Sequence, residues 1–301
     1  MSVHPSPTTT AATSTQTLKK RTHHDLKQRK HQQRPFTMLT AYDYTTARIL
    51  DTAGIEALLV GDSLAMTVLG HSNTLSVTVD EMLHHVKAVT RACKQAWVVA
   101  DAPFMSYHLS QEASIANLSR FITEGGADAI KLEGASPNEL ALIERLSSIG
   151  LPVVGHLGLT PQHVLRFGGF KLQAKTAHEA LTLLEQAMDL QNAGCVALVV
   201  EMVPSEVAGL LQQRLDIPVI GIGAGPDCDA QVLVIDDLLG RFTAFTPKFV
   251  RRYATHAEAI QQAVQAFQAD VATQAFPNLE AESYRMASDE YALLLDALTH
   301  P

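Results

Sequence analysis

The sequence predicts a (β/α)8 barrel, and three observations carry that prediction. Eight short apolar runs alternate with longer stretches of helical period. Four of those stretches end in a glycine just before the next run, and the runs are apolar on both faces. Strands buried on both faces belong to parallel sheets covered by helices. A glycine at the end of a helix accepts the left-handed conformation at no Cβ cost, so its recurrence marks repeated αβ joints. Eight βα units between residue 36 and about residue 265 suit a barrel, whose usual size is about 250 residues. A doubly wound open sheet is the alternative on pattern alone.

The elements follow in order. The strand candidates are FTMLTA (36–41), EALLVG (56–61), AWVVA (96–100), DAIKL (128–132), PVVGH (152–156), VALVV (196–200), IPVIGIG (217–223) and QVLVI (231–235). Helical period covers Val79–Lys94, Ser110–Glu124, Ser136–Ser148, Thr176–Asn192 and Pro204–Arg214. The joints read DTAGIEALL, EGGADAIKL, SIGLPVV and NAGCVALVV. The gap between the last two strands is too short for a full helix and is the weakest point of the count. The catalytic barrel is expected over 35–265 and a C-terminal helical tail over 266–301. Residues 1–34 are rich in Ser, Thr, Gln, His, Lys and Arg, with Asp25 the only acid. They have no apolar core segment of a secretory signal. A transit peptide would share the low acid content, but a plain disordered extension accounts for it as well and is the expectation.

The chain has 301 residues, 47% of them hydrophobic and 18% charged, so it can bury a substantial core. Its net charge of -8 argues against a general nucleic-acid binder. No apolar stretch approaches the roughly 18 residues of a membrane span. The three cysteines, Cys93, Cys195 and Cys228, form no CxxC pair, which argues against a disulfide framework or a structural zinc site.

Polar residues fall where such a barrel carries its chemistry, at the C-terminal strand ends. Asp43 follows the first strand, Asp62 the second and Asp101 the third. Lys131 and Glu133 close the fourth, His156 the fifth and Glu201 the sixth. Any one acid here could be only the N-cap of the next helix. Five acids and a histidine on consecutive strand ends point to convergence. Clustered carboxylates repel and need a cation or a shared proton. With oxygen donors and no cysteine among them, the hard ion Mg²⁺ suits the set. Gly61, with no Cβ, is expected to leave room for a ligand beside Asp62. Lys131 shares its parity with Glu133, so it is expected to point inward as a cation for an anionic substrate or a developing enolate, the alternative being an outward lysine that runs past a helix to solvent. The run GIGAGP (221–226) is not a dinucleotide fingerprint; it reads as a tight turn or a backbone anion site. Ser63 reads as a substrate hydrogen-bonding residue, because no nucleophile elbow surrounds it. His84 and His85 read as surface.

At these residues the chain resembles the ketopantoate hydroxymethyltransferase (3-methyl-2-oxobutanoate hydroxymethyltransferase) family. The matching segments include TAYD (40–43), VGDSLAM (60–66), TVDEM (78–82), ADAPFMSY (100–107), KLEG (131–134), GHLGLTPQ (155–162), FGGFKLQ (167–173), VEMVP (200–204), IPVIGIGAG (217–225) and PKF (247–249). The resemblance implies a phosphoenolpyruvate/pyruvate-type TIM barrel. It implies one Mg²⁺ per subunit, held by Asp62, Asp101 and Glu133, and substrate contacts from Asp62, Ser63, Asp101 and Lys131. It places the proton acceptor at Glu201, and His156 either orients substrate or is a satisfied residue of the mouth. It also implies 5,10-methylenetetrahydrofolate as co-substrate and a cytoplasmic homo-oligomer, a homodecamer, in pantothenate biosynthesis. Departures from the family pattern at Ala65, Ala135, Ala230 and in RFTAFTPKF (241–249) bear on loop shape and folate contacts.

The activity so implied is hydroxymethyl transfer to 3-methyl-2-oxobutanoate through a Mg²⁺-stabilised enolate, giving 2-dehydropantoate. Two alternatives stand beside it. One is a Mg²⁺-dependent 2-oxo acid lyase or mutase of the phosphoenolpyruvate mutase/isocitrate lyase group, whose cysteine-bearing loop motif is not visible here. The other is a non-catalytic barrel kept for assembly.

Overall fold

The structure is a computed structural model that describes residues 19–300. Eight parallel strands close in sequence order: β1 Phe36–Thr40, β2 Ala57–Val60, β3 Trp97–Asp101, β4 Ala129–Glu133, β5 Val153–Gly158, β6 Cys195–Glu201, β7 Val219–Ile222 and β8 Ala230–Leu233. Each lies within a residue or two of an apolar run. β8 pairs with β1 over Phe36↔Ala230 to Leu39↔Leu233, which shuts the barrel. Helices Val79–Ala92, Gln111–Thr123, Pro137–Ser148, Ala177–Asn192 and Ser205–Arg214 fill the expected intervals. Side-chain caps set their starts: Thr78 and Thr176 each form a reciprocal box with a glutamate three residues on. Gly54, Gly126, Gly150 and Gly194, one at each αβ joint, all have positive φ.

Between β7 and β8 the chain makes no helix. The connection, 223–229, is held by the buried Asp229 carboxylate, which accepts from Val219 N at 2.9 Å, Gln212 Nε2 at 2.8 Å and Lys30 Nζ at 2.7 Å. The GIGAG turn is a steric fit: a Cβ on Gly223 would stand 2.8 Å from the Phe249 ring. That supports the tight-turn reading of the segment.

Inside the barrel, alternate residues make one core. Phe36 and Met38, Ala57 and Leu59, Trp97 and Val99, Ala129, Val154, Ala197 and Val199, Ile220, and Ala230 and Val232 are all buried there. Leu26 belongs to the same cluster and is 1% exposed. This corrects the expectation for the N-terminal extension. Residues His23–His31 form a helix capped by a Thr22–Asp25 box, and that helix plugs the barrel through Leu26. Lys30, ion-paired with Asp229 at 2.7 Å and bonded to Gln212 O at 2.7 Å, fastens it. The polar composition hid this helix because one apolar side chain does the packing. Residues 1–18 of the expected extension lie outside the described residues. Leu26→Ala should cost about 2–5 kcal/mol of unfolding free energy, the usual range for a buried leucine. Denaturant melts read this, and a loss under about 0.5 kcal/mol would contradict the plug, because only surface changes are usually that mild.

The chain divides into two compact units: Met1–Asp236 with Pro247–Val250, and Asp237–Thr246 with Arg251–Pro301. The second unit carries helices His256–Ala272 and Ser288–Thr299. Within it the Phe267 and Phe276 rings meet at 5.4 Å. The expected boundary at 265/266 therefore moves, since one helix runs straight through it. Among the described residues, no helix is long and apolar enough to cross a membrane.

Candidate active site

The inward parity of the core continues to the C-terminal rim, and there it turns polar. On β3 the inward series Trp97, Val99 ends in Asp101. On β4, Ala129 is followed by Lys131 and Glu133, on β5 Val154 by His156, and on β6 Ala197 and Val199 by Glu201. These side chains are the top layer of the barrel. Strand register sets Asp101 beside Lys131 and Glu133 beside His156.

Asp62 enters differently. The inward position of β2 at this level is Gly61, and Asp62 lies one residue further along. A Cβ on Gly61 would stand 2.9 Å from Ser63 Oγ and 3.4 Å from Asp101 Oδ2. The space beside Gly61 is thus filled by protein atoms, which corrects the expected ligand role of that gap. The missing Cβ lets Asp101 Oδ2 accept the Asp62 N–H at 3.0 Å. Two acids are drawn together by the backbone of one of them.

The cluster is tightly connected. Lys131 Nζ lies 2.8 Å from Asp101 Oδ1 and donates to His156 Nδ1 at 3.2 Å. Glu133 Oε1 is 3.2 Å from the same Nδ1, and His156 Nε2 is 3.4 Å from Glu201 Oε2. Asp62, Asp101, Lys131, Glu133 and His156 are all buried, whereas the Glu201 side chain keeps 16% exposure. Ser63 Oγ pairs with Tyr42 OH at 2.8 Å, so its hydroxyl already has a protein partner. Asp43 is not part of the group. It caps helix Tyr44–Thr52 through Thr46 N and Thr46 Oγ1, the plain N-cap role. His85 is half-buried rather than superficial, and its Nδ1 meets Tyr42 O at 2.6 Å.

Burial, then repulsion from Asp101 and Glu133, pushes the Asp62 carboxyl up to about 8. Burial likewise lifts Glu133 to about 7, with Lys131 opposing. For Lys131, burial disfavours the charge, but Asp101, Glu133 and Asp62 together outweigh it and hold the ammonium protonated. His156 is lowered by burial and by Lys131, so it is a neutral imidazole. A lysine donating to Nδ1 puts the imidazole proton on Nε2, facing Glu201.

The sign of the pH effect follows. Unfolded carboxyls release their protons near pH 4, whereas native Asp62 and Glu133 keep theirs to about pH 7–8. Over that window the native state holds more protons, so stability conferred by the protonated acids is lost as pH rises through their folded values. In chelator, Tm should fall from about pH 5 to about pH 8 and level off above that. Saturating Mg²⁺, which takes the ionised forms, should flatten the fall. A chelated protein with no greater pH sensitivity than the loaded one would contradict the raised carboxyls.

The donor set suits a hard divalent ion. Glu133 Oε1 is buried without a hydrogen bond, the state in which a carboxylate oxygen can face a cation, whereas Asp101 Oδ1 already faces the Lys131 ammonium at 2.8 Å. Among the described residues no three His, Cys, Asp or Glu side chains form a ready three-ligand cage. Mg²⁺ does not require one, since it keeps several waters and takes one or two carboxylates plus substrate. A separate hollow of about 650 Å³ lies outside the barrel wall, behind Leu157 and between the helices bearing Glu139 and Gln186; the acid cluster does not line it.

Residues 20–279 match the family model described as ketopantoate hydroxymethyltransferase. The chain belongs to the ketopantoate hydroxymethyltransferase family. A relative from Koribacter versatilis (strain Ellin345), named 3-methyl-2-oxobutanoate hydroxymethyltransferase, is 51% identical over 94% of this chain and 92% of its own. Another of that name, from Acetivibrio thermocellus, is 51% identical over 85% of this chain and 90% of its own. Among solved structures, a phosphoenolpyruvate phosphomutase from Streptomyces platensis subsp. rosaceus superposes with TM-score 0.55 at 14% identity, covering 93% of this chain and 98% of that one. A 2,3-dimethylmalate lyase of the PEP mutase/isocitrate lyase superfamily gives 0.54 at 15%, covering 92% and 98%. This ketopantoate hydroxymethyltransferase-family chain thus shares its barrel type with those structures, and at these identities the likeness concerns the fold alone.

Sequence reasoning missed Gln162 and Tyr107. Gln162, 4% exposed on the turn after β5, donates from Nε2 to Asp62 Oδ2 at 3.0 Å and from its backbone N to Glu133 Oε2 at 3.0 Å. Tyr107 OH donates to Gln162 Oε1 at 2.9 Å. Both lie in segments that match the family, ADAPFMSY and GHLGLTPQ, but they sit in loops where no periodicity says which way a side chain points.

Proposed function

We propose that this chain transfers a hydroxymethyl group from 5,10-methylenetetrahydrofolate to 3-methyl-2-oxobutanoate, giving 2-dehydropantoate for pantothenate and coenzyme A synthesis. The observation that carries the reading is the polar top layer: a buried lysine among carboxylates, with Glu201 at its edge. It occurs in a chain about half identical to relatives named for this reaction.

Asp62 and Asp101 would hold Mg²⁺, with Glu133 acting directly or through a water. Bound there, the ion supplies a Lewis acid for the keto oxygen of the 2-oxo acid. Lys131 provides the fixed positive charge, preorganised at 2.8 Å from Asp101, that offsets the negative charge developing on substrate oxygen. Glu201 is the base for the C3 proton. It ends β6, faces inward and is the least buried of the cluster acids, so substrate reaches it. The neutral His156 presents its Nε2 proton beside Glu201, 3.4 Å from Oε2 and without a hydrogen bond to it, where it can orient substrate. Ser63, braced by Tyr42, and Asp62 border the substrate. The reading carries with it a cytoplasmic homo-oligomer, a homodecamer.

The test is product formation from 3-methyl-2-oxobutanoate with and without methylenetetrahydrofolate. The proposal requires 2-dehydropantoate only when the folate is present. Folate-independent C–C cleavage would favour the lyase reading. Tight Mg²⁺ and 2-oxo acid binding with no turnover would revive the assembly reading.

A further inference from the structure

Gln162 ties together the elements that carry the acids. Its side chain is saturated in a way that only one orientation permits. Nε2 faces two acceptors, Asp62 Oδ2 at 3.0 Å and Ala102 O at 2.9 Å, and Oε1 faces the Tyr107 hydroxyl at 2.9 Å. Turning the amide over would set Oε1 against a backbone carbonyl that has no proton to give, so the assignment follows from chemistry. Its backbone N–H holds Glu133 Oε2 at 3.0 Å. Tyr107 is in turn fixed by accepting the Glu133 N–H at 3.2 Å. One residue from the turn after β5 therefore bonds to the acids of β2 and β4 and to the loop after β3.

The bonds are also selective between oxygens. Gln162 engages Oδ2 of Asp62 and Oε2 of Glu133, and leaves Glu133 Oε1 without a hydrogen bond. Resting on the divalent-ion reading above, we propose that Gln162 is the positioning residue of this site. It fixes which oxygen of Asp62 and of Glu133 is turned to the metal, and it prevents either carboxylate from swinging into two-oxygen binding. A carboxylate held by one oxygen suits the strict octahedron of Mg²⁺, whereas a free one suits Ca²⁺, which accepts bidentate ligands and irregular geometry. Gln162 thus serves metal affinity and the choice of metal together.

The experiment is a titration of the metal-free protein with Mn²⁺, read by electron paramagnetic resonance without substrate, followed by displacement with Mg²⁺ or Ca²⁺. Gln162→Met keeps the bulk and removes the amide. It should weaken Mn²⁺ by about 10–100-fold, the usual cost of losing an outer partner of a metal ligand, and move the Mg²⁺/Ca²⁺ preference towards Ca²⁺. Tyr107→Phe, which leaves the Gln162 amide in place but removes the anchor of Oε1 and the acceptor of the Glu133 N–H, should shift both in the same direction by a smaller factor. It keeps the test open if Gln162→Met does not fold. Wild-type affinity and preference in a folded Gln162→Met, or in Tyr107→Phe where only that variant folds, overturns the proposal. A wild-type protein that binds no Mn²⁺ overturns the metal reading itself, and this proposal with it.

Discussion

Glu201→Gln should lower kcat by about 10²–10⁴-fold, the usual contribution of a positioned general base, while KM for the 2-oxo acid stays within a few-fold. The substitution keeps the shape and the polar contact towards His156 Nε2, now 3.4 Å away, but removes the proton acceptor. Glu201 lies at the edge of the cluster and the buried Lys131 pairs with Asp101 instead, so charge balance inside the barrel is little disturbed. Folding should therefore be preserved, and steady-state kinetics with a thermal melt separate the two effects. A variant with near wild-type kcat would remove Glu201 from the role of base.

Lys131→Met has the larger structural consequence. The ammonium is 5% exposed and is the positive charge that Asp62, Asp101 and Glu133 share. Breaking a buried pair by removing one partner costs about 3–5 kcal/mol, because the other charge is left uncompensated. Here the loss should fall at the lower end near neutral pH, since Asp62 and Glu133 already tend to hold protons. It should grow as pH rises through about 7–8, where those carboxyls must ionise with no cation beside them. Activity should drop by about 10²–10³-fold, as when a preorganised electrostatic stabiliser is removed. Denaturant melts at pH 6 and pH 8.5 with a rate measurement check both. Equal stability at the two pH values and an unchanged rate would contradict the account.

Much of this was legible in the residues. The eight strands could be read because parallel strands buried on both faces are continuous apolar runs, and their inward parity carried Lys131 and Glu133 to the rim correctly. Periodicity failed where a single contact decides. Leu26 plugs the barrel from a helix otherwise polar, and Asp43 satisfies its own helix start rather than the cluster. Gly61 serves an acid–backbone bond that depends on the separation of β2 and β3, which no spacing along the chain encodes. Gln162 is one hundred residues from the Asp62 it holds. Its role follows from loop geometry that only closure of the barrel creates.

The central claim is that the polar rim removes a carbon-bound proton from a 2-oxo acid. Hydrogen–deuterium exchange at C3 of 3-methyl-2-oxobutanoate in D₂O, followed by proton NMR with Mg²⁺ and no folate, tests it most directly. Enzyme-catalysed exchange that vanishes in chelator and is largely lost in Glu201→Gln is the expected result. Exchange no faster than the protein-free background, from a preparation that still makes 2-dehydropantoate when folate is added, would contradict it.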